Sequence, residues 1–134
     1  MSFEHLAIRV SGSALERGRQ YGEKAKDRIA KSIELYSNMF EANAHLSWGK
    51  AKEVAKQFEG AIKAYFPEAI EEMQGIAQGA SLTYEDILAL NCRSEIMFAL
   101  PDGCTAISYP PQSTADGHTV LTQTWDWLIE ARPC

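Results

Sequence analysis

The spacing of apolar residues changes at Pro101. From about residue 15 to this proline, apolar residues recur every three or four positions, which is the period of an α-helix. After it, residues 104–109 and 118–125 are β-branched and alternate between apolar and polar, which is typical of strands. The change predicts an α+β chain that is helical in its first part and begins a sheet in its last part.

The first helix is predicted from a capping box and a long apolar stripe. Ser13 and Glu16 have the spacing at which a hydroxyl and a carboxylate bond the free N–H groups of a first helical turn. The stripe continues to about residue 43 and includes Gly18 and Gly22. Glycine weakens a helix by about 1 kcal/mol relative to alanine. The two glycines therefore indicate either close approach of another backbone or a frayed first turn.

Three more helices follow. A helical stripe begins at Trp48 and ends at Pro67, which can also occupy the first turn of the next helix. That helix is expected to end at Gly79 as its C-cap. Thr83 is the expected N-cap of a fourth helix, which continues to about Glu95.

Two regions are predicted to be extended. Residues 3–10 alternate, which predicts a short half-buried strand before the helices. Turn-forming residues fill 110–117, so the two later strands are expected to form a β-hairpin. In the register that this predicts, Tyr109 lies opposite His118 and Cys104 lies opposite Gln123.

Composition excludes several classes of partner. The 134 residues carry a net charge of −5 without a long Lys/Arg cluster, so neither a nucleic acid nor a membrane is expected as a partner. With no membrane span or signal peptide recognised, a cytoplasmic location is expected. The three cysteines fit no zinc spacing, so no metal is expected and the thiols are expected to be reduced.

The tetrapeptide from Asp102 to Thr105 can undergo cleavage of its own backbone. The thiolate of Cys104 can attack the carbonyl of Gly103, and hydrolysis of the thioester then leaves Cys104 as a new N-terminus. The freed α-amine, with an ordinary pKa of about 7.7–8.0, can deprotonate the thiol of the same residue. A lone cysteine is more often an inert buried side chain, and that reading stays open.

Five segments in order resemble the acyl-coenzyme A:6-aminopenicillanic acid acyltransferase (isopenicillin N acyltransferase) family of self-processing cysteine N-terminal nucleophile hydrolases. They are 16–22 (ERGRQYG), 71–80 (EEMQGIAQGA), 86–95 (DILALNCRSE), 102–105 (DGCT) and 123–127 (QTWDW). The resemblance implies the N-terminal part of an αββα fold with incomplete sheet layers. It implies a partial single domain over 1–134, with a helical α-subunit region at 1–103 and a truncated start of the β-subunit region at 104–134.

The resemblance also implies the site. Cleavage falls between Gly103 and Cys104, Cys104 is the nucleophile, and Asp126 lies near it in the active site. Thr105 is either a plain strand residue or a group that orients the cleaved peptide. For Asp126 the alternative is a solvated carboxylate in a turn.

Three further residues are candidates for supporting the site, namely Asp102, Arg93 and Glu95. For the pair Arg93 and Glu95, a surface ion pair worth about 0–1 kcal/mol is an equal alternative. One position departs from the family pattern, since Thr124 stands where the family prefers Asn before Trp-Asp.

The implied activity is acyl transfer or amide hydrolysis. The donor is a small molecule, either an acyl-CoA or an N-acyl amide, and the acceptor is water or an amine; no cofactor is expected. Because the family chain continues well beyond this length, this chain is expected either to be inactive or to need a complementing C-terminal chain. The alternative is a truncated, non-catalytic helical interaction module that forms a homo-oligomer or docks on a partner.

Overall fold

A computed structural model describes residues 7–97 and 105–124, and these form two compact units. The first unit contains five helices: α1 (Ala14–Ala44), α2 (Trp48–Tyr65), α3 (Pro67–Ala80), α4 (Tyr84–Asn91) and α5 (Arg93–Ile96). The second contains strands β1 (Ala106–Tyr109) and β2 (Val120–Gln123), with a short 3-10 helix at Pro111–Ser113 between them. The predicted α+β class is confirmed.

The predicted capping box at Ser13 and the predicted N-cap at Thr83 are both present, and Thr83 also forms a capping box. At α1, the Glu16 backbone N–H donates to Ser13 Oγ at 3.4 Å, and the Ser13 N–H donates to Glu16 Oε2 at 2.9 Å. At α4, Thr83 and Asp86 form the same reciprocal pair. These side chains replace partners that the first N–H groups of a helix lack, which fixes where each helix begins.

One predicted helix end is wrong, and one predicted helix is divided in two. Helix α3 passes through Gly79 and ends with Ser81 as its C-cap, in the left-handed region at φ 60°. Gly79 is required inside the helix, where it contacts α1. The predicted fourth helix is divided, because Cys92 leaves helical geometry between α4 and α5.

Helices α1 and α3 pack backbone to backbone through four glycines. Gly18 and Gly22 of α1 face residues 72–80 of α3, while Gly75 and Gly79 of α3 face residues 15–23 of α1. Contacts advance in the same direction along both helices, so the two helices run parallel. The prediction that Gly18 and Gly22 allow close approach of another backbone is confirmed.

Small side chains dominate the buried core of the helical unit, and Phe40 and Leu88 are its largest fully buried members. Phe40 stacks on Trp48 with ring centroids 5.9 Å apart. Alanine-rich surfaces allow helices to approach closely, so burial is distributed over many small contacts.

Asp86 joins α4 to α2 with a network of hydrogen bonds. Its Oδ1 accepts from Trp48 Nε1 and from Lys52 Nζ, each at 2.9 Å, while its Oδ2 accepts from the backbone and hydroxyl of Thr83. Burial raises the pKa of this carboxyl, but the hydrogen bonds from Thr83, Trp48 and Lys52 together outweigh burial and lower the pKa to about 2. The Asp86 carboxylate is therefore charged in the folded protein, and its hydrogen bonds hold α4 against α2.

The predicted strand at 3–10 is wrong in its described part. Residues 7–10 have no regular secondary structure, and residues 3–6 lie outside the described residues. A strand needs a neighbouring strand for its hydrogen bonds, and none lies beside 7–10 in the described helical unit. The predicted alternation of burial is retained, since Ile8 packs against the helical core while Ala7 and Arg9 are exposed.

The hairpin is confirmed, with a different register. Tyr109 pairs with Val120 and Ala106 pairs with Gln123, two residues along from the predicted pairing. The 3-10 helix makes the connection longer than a simple turn, which moves the first pair away from His118. A shift of two residues preserves the face of every side chain, because side chains alternate with a period of two.

Candidate functional site

Thr105 and Thr124 close the open end of the hairpin. The Thr124 N–H donates to the Thr105 carbonyl at 2.9 Å, and the Thr105 N–H donates to Thr124 Oγ1 at 3.1 Å. A threonine hydroxyl thus takes the place that a backbone carbonyl has in a regular ladder pair. Thr124, where the family pattern prefers Asn, supplies a side-chain acceptor at this position.

Arg93 begins α5 and is held by the helical unit. Its Nε donates to Tyr36 Oη at 3.1 Å, and its Nη1 donates to the Leu90 carbonyl at 3.0 Å. The guanidinium lies 5.6 Å from the centre of the Tyr36 ring, within cation–π range. Arg93 therefore bridges α1 and α4, and in the described structure its partners are Tyr36 and Leu90 rather than Glu95.

Glu95 lies at a pocket of about 370 Å³ in the helical unit. The lining residues come from α2, the α2–α3 junction, α3, α4 and α5: Phe58, Ala61, Ile62, Phe66, Ala69, Met73, Asn91, Cys92 and Glu95. Most of this surface is apolar. The pocket was not predicted, although the spacing of Phe58, Ile62 and Phe66 by four residues marks one helical face.

Cys92 is a buried thiol at this pocket, with 4% of the residue exposed. Burial raises the pKa of the Cys92 thiol to about 11, and the negative charge of Glu95 adds to the rise. Because the thiolate is the nucleophilic form, Cys92 is poorly suited to covalent chemistry near neutral pH.

The remaining predicted residues lie outside the described residues. They are Asp102, Gly103, Cys104 and Asp126. Of the predicted site, the structure therefore describes Thr105 in the hairpin and Arg93 and Glu95 in the helical unit, and it places Arg93 and Glu95 on the same short helix.

The family-like segments in the helical unit carry its packing contacts. Arg17 Nη2 pairs with Glu72 Oε2 at 2.9 Å across α1 and α3, and Arg17 Nη1 donates to the Gly12 carbonyl. The side chain of Gln20 bonds both the N–H and the carbonyl of Ser11. Residues 16–22 and 71–80 thus build one helix–helix interface and the turn that precedes it.

Within residues 7–97 and 105–124, no helix has the length and apolarity to cross a membrane. In the same residues, no group of three or more His, Cys, Asp or Glu side chains could hold a metal ion.

Comparison with known proteins identifies a relative. No protein-family model matches the chain. The chain is 29% identical over 131 residues to the acyl-coenzyme A:6-aminopenicillanic-acid-acyltransferase 40 kDa form of Emericella nidulans. The match covers 95% of this chain and 35% of the relative, so the chain spans about a third of the length of the curated relative that it matches. The resemblance stated from the five sequence segments is confirmed.

Proposed function

We propose that the chain is the N-terminal portion of a self-processing cysteine N-terminal nucleophile enzyme that transfers acyl groups or hydrolyses amides. The observation that carries the proposal is the similarity to an acyltransferase over 95% of the chain. In this account residues 1–103 form the helical subunit and residues 104–134 begin the subunit that carries the nucleophile, within an αββα fold.

The self-processing step breaks one peptide bond. The Cys104 thiolate attacks the carbonyl carbon of Gly103, a C–S bond forms, and the C–N bond to Cys104 breaks as its nitrogen takes up a proton. Water then hydrolyses the thioester, which leaves a carboxylate on Gly103 and a free thiol on Cys104. Glycine suits the residue before the cleaved bond, because no side chain shields its carbonyl.

Acyl transfer follows at the same thiol. The freed α-amine of Cys104 takes the thiol proton, and the thiolate attacks the acyl carbonyl of an acyl-CoA or N-acyl amide. The leaving thiol or amine takes up a proton, and an acyl thioester remains on Cys104. Water or an acceptor amine then attacks that thioester and regenerates the thiol.

The geometry of the hairpin supports the roles of Cys104 and Asp126. Cys104 precedes Thr105 directly, and Asp126 follows Thr124 by two residues. Because Thr105 and Thr124 are hydrogen-bonded to each other, chain connectivity limits how far apart the two proposed catalytic residues can lie.

The state of Cys92 also supports the choice of nucleophile. Its buried thiol has a pKa of about 11, which leaves little thiolate near neutral pH. Supporting roles are proposed for Asp102, Arg93 and Glu95, and for Thr105 in orienting the cleaved peptide.

Mass spectrometry of an acyl-enzyme tests the proposal. The protein, mixed with a chain that supplies the C-terminal part of the relative, is incubated with acetyl-CoA, quenched in acid, and digested. We expect an added acetyl group on the peptide that begins at Cys104, retained in Cys92→Ala and lost in Cys104→Ala. Acetylation that persists in Cys104→Ala, or that moves with Cys92, would contradict the assignment of the nucleophile.

A second candidate is a non-catalytic module that docks on a chain carrying more sheet. It is favoured by the hairpin, in which all eight residues of β1 and β2 are exposed and Leu121 is 74% exposed. An isolated two-stranded hairpin is only marginally stable in water. Light scattering that shows a mass rising with concentration, together with three thiols of ordinary or low reactivity, would favour the module over the enzyme.

A further inference from the structure

The pocket between α2, α3 and α5 has the dimensions and surface of a small-molecule site. Its volume of about 370 Å³ lies within the range of about 300–1,000 Å³ that is usual for ligand pockets. Met73 and Cys92 are buried at 5% and 4% exposure, while Phe66 is 70% exposed. The pocket thus has a buried apolar side and an aromatic side chain that faces solvent.

Every polar side chain that lines the pocket, apart from the buried thiol, offers a hydrogen-bond acceptor. Asn91 uses its Nδ2 to donate to the Ile87 carbonyl at 2.9 Å, which leaves Oδ1 as an acceptor. Glu95 contributes an exposed carboxylate that makes no ion pair with any described residue. None of the nine lining residues is a Lys or Arg.

The charge of the pocket lining is consequently negative, since Glu95 is the one charged residue among the nine. Burial raises the pKa of the neighbouring Cys92 thiol, and the negative charge of Glu95 adds to the rise. A neutral apolar ligand would pack against the apolar side chains but would form no ion pair with Glu95. An anionic ligand would be repelled by the Glu95 carboxylate. A ligand with an apolar body and a cationic donor complements both parts of the surface.

We propose that this pocket binds a small molecule that combines an apolar body with a protonated primary amine. The body packs against Phe58, Ile62 and Met73, and the ammonium donates to the carboxylate of Glu95 and to Asn91 Oδ1. This inference goes beyond the proposed acyl transfer and does not depend on Cys104.

The test compares three ligands that share one apolar body: 4-phenylbutylamine, 4-phenylbutanol and 4-phenylbutyrate. Binding to the Cys104→Ala protein is followed by NMR of the methionine methyl groups, with Met73 as the reporter in the pocket. We expect the amine to bind with a Kd on the order of a millimolar and to shift the Met73 signal. It should bind about fivefold more tightly than the alcohol, and the carboxylate should bind most weakly.

Three substitutions test whether ligand binding and the preference for the amine depend on this pocket. Glu95→Gln should remove the preference for the amine over the alcohol, whereas Glu34→Gln, an exposed change on α1 away from the pocket, should retain it. Ala61→Phe adds a ring at a lining position and should abolish the Met73 shift with all three ligands.

Equal affinities for the three ligands, or an amine preference that survives Glu95→Gln, would overturn the proposal. So would a Met73 signal that no ligand shifts at 10 mM in a protein with an unchanged far-UV circular dichroism spectrum. Because the Cys104→Ala protein is used throughout, failure here leaves the proposed acyl transfer unaffected, and failure of the acyl-enzyme test leaves this binding unaffected.

Discussion

Gly18 of α1 and Gly75 of α3 lie against each other's helices, each in contact with the backbone of the other. A Cβ at Gly18 would lie 2.9 Å from the backbone nitrogen of Ile76, and a Cβ at Gly75 would lie 2.8 Å from that of Arg19. Real Cβ atoms essentially never come this close to a neighbour. The helical unit is therefore built around a contact that no larger residue fits at either position.

Gly18→Ala is predicted to destabilise the protein although alanine is the better helix former. Overpacking costs about 1–3 kcal/mol, and the upper end applies here because the added Cβ would meet backbone atoms rather than a flexible side chain. Alanine returns at most about 1 kcal/mol of helix propensity. We expect a net loss of about 2 kcal/mol in the free energy of unfolding, measured by urea denaturation. Gly75→Ala should lower the free energy of unfolding by a similar amount.

Gly60→Ala is the matched control for Gly18→Ala. Gly60 lies within α2, and a Cβ there would meet nothing within 4 Å. This change should stabilise the protein by up to about 1 kcal/mol. If Gly18→Ala and Gly60→Ala changed stability in the same direction, the backbone contact would not control the packing of α1 on α3.

Low pH is predicted to weaken the contact between α2 and α4 that Asp86 makes with Trp48 and Lys52. The pKa of Asp86 is lowered from its ordinary 3.8 to about 2, so the folded state favours the charged form. The resulting stability, about 2 kcal/mol, is present above pH 4 and is lost as the pH falls towards 2. We expect Asp86→Asn to remove this part of the pH dependence of urea denaturation, while Asp27→Asn, at an exposed position on α1, leaves it. A wild-type-like acid profile in Asp86→Asn would contradict the role of the carboxylate.

The sequence predicted those parts of the fold that are controlled by local chemistry. The capping box at Ser13, the N-cap at Thr83 and the stop at Pro67 depend on residues within one helical turn, and all three are confirmed. Gly79 was misread because its local sequence resembles a C-cap, whereas its actual role is contact with a helix more than fifty residues away. The hairpin register was wrong because the connecting 3-10 helix changes the length of the turn.

The site was less predictable, since its contacts join distant positions. The bond between Asp86 and Trp48 spans 38 residues and has no local signal in the sequence. The contact of Arg93 with Tyr36 spans 57 residues, and the predicted alternative of a pair with Glu95 is wrong in the described structure. Such contacts depend on how helices pack, which periodicity alone does not specify.

Thr124→Val is predicted to loosen the open end of the hairpin. Valine keeps the branched shape but removes the hydroxyl that accepts from the Thr105 N–H. Loss of a hydrogen bond of about 1 kcal/mol should speed hydrogen exchange at the Thr105 amide roughly fivefold. Thr124→Ser, which keeps the hydroxyl, should leave exchange at Thr105 near the wild-type rate; equal rates in Thr124→Val and wild type would show that the bond does not protect this amide.

The thiol of Cys92 is predicted to react slowly with iodoacetamide in the folded protein. A pKa of about 11 in place of 9.0 lowers the thiolate fraction at pH 8 about a hundredfold, and burial slows access further. In a protein with Cys104→Ala and Cys134→Ala, which leaves Cys92 alone, iodoacetamide labelling should be at least a hundredfold slower when folded than in 8 M urea. Comparable rates in the two conditions would mean that the thiol is not protected by the fold.

The intact mass of the purified protein tests the central claim most directly. Wild type is predicted to separate into two chains, residues 1–103 and residues 104–134, after incubation at neutral pH. Cys104→Ala is predicted to remain a single chain of 14.9 kDa. A wild-type protein that stays whole, and so has the same integrity as Cys104→Ala, would contradict self-processing at the bond between Gly103 and Cys104.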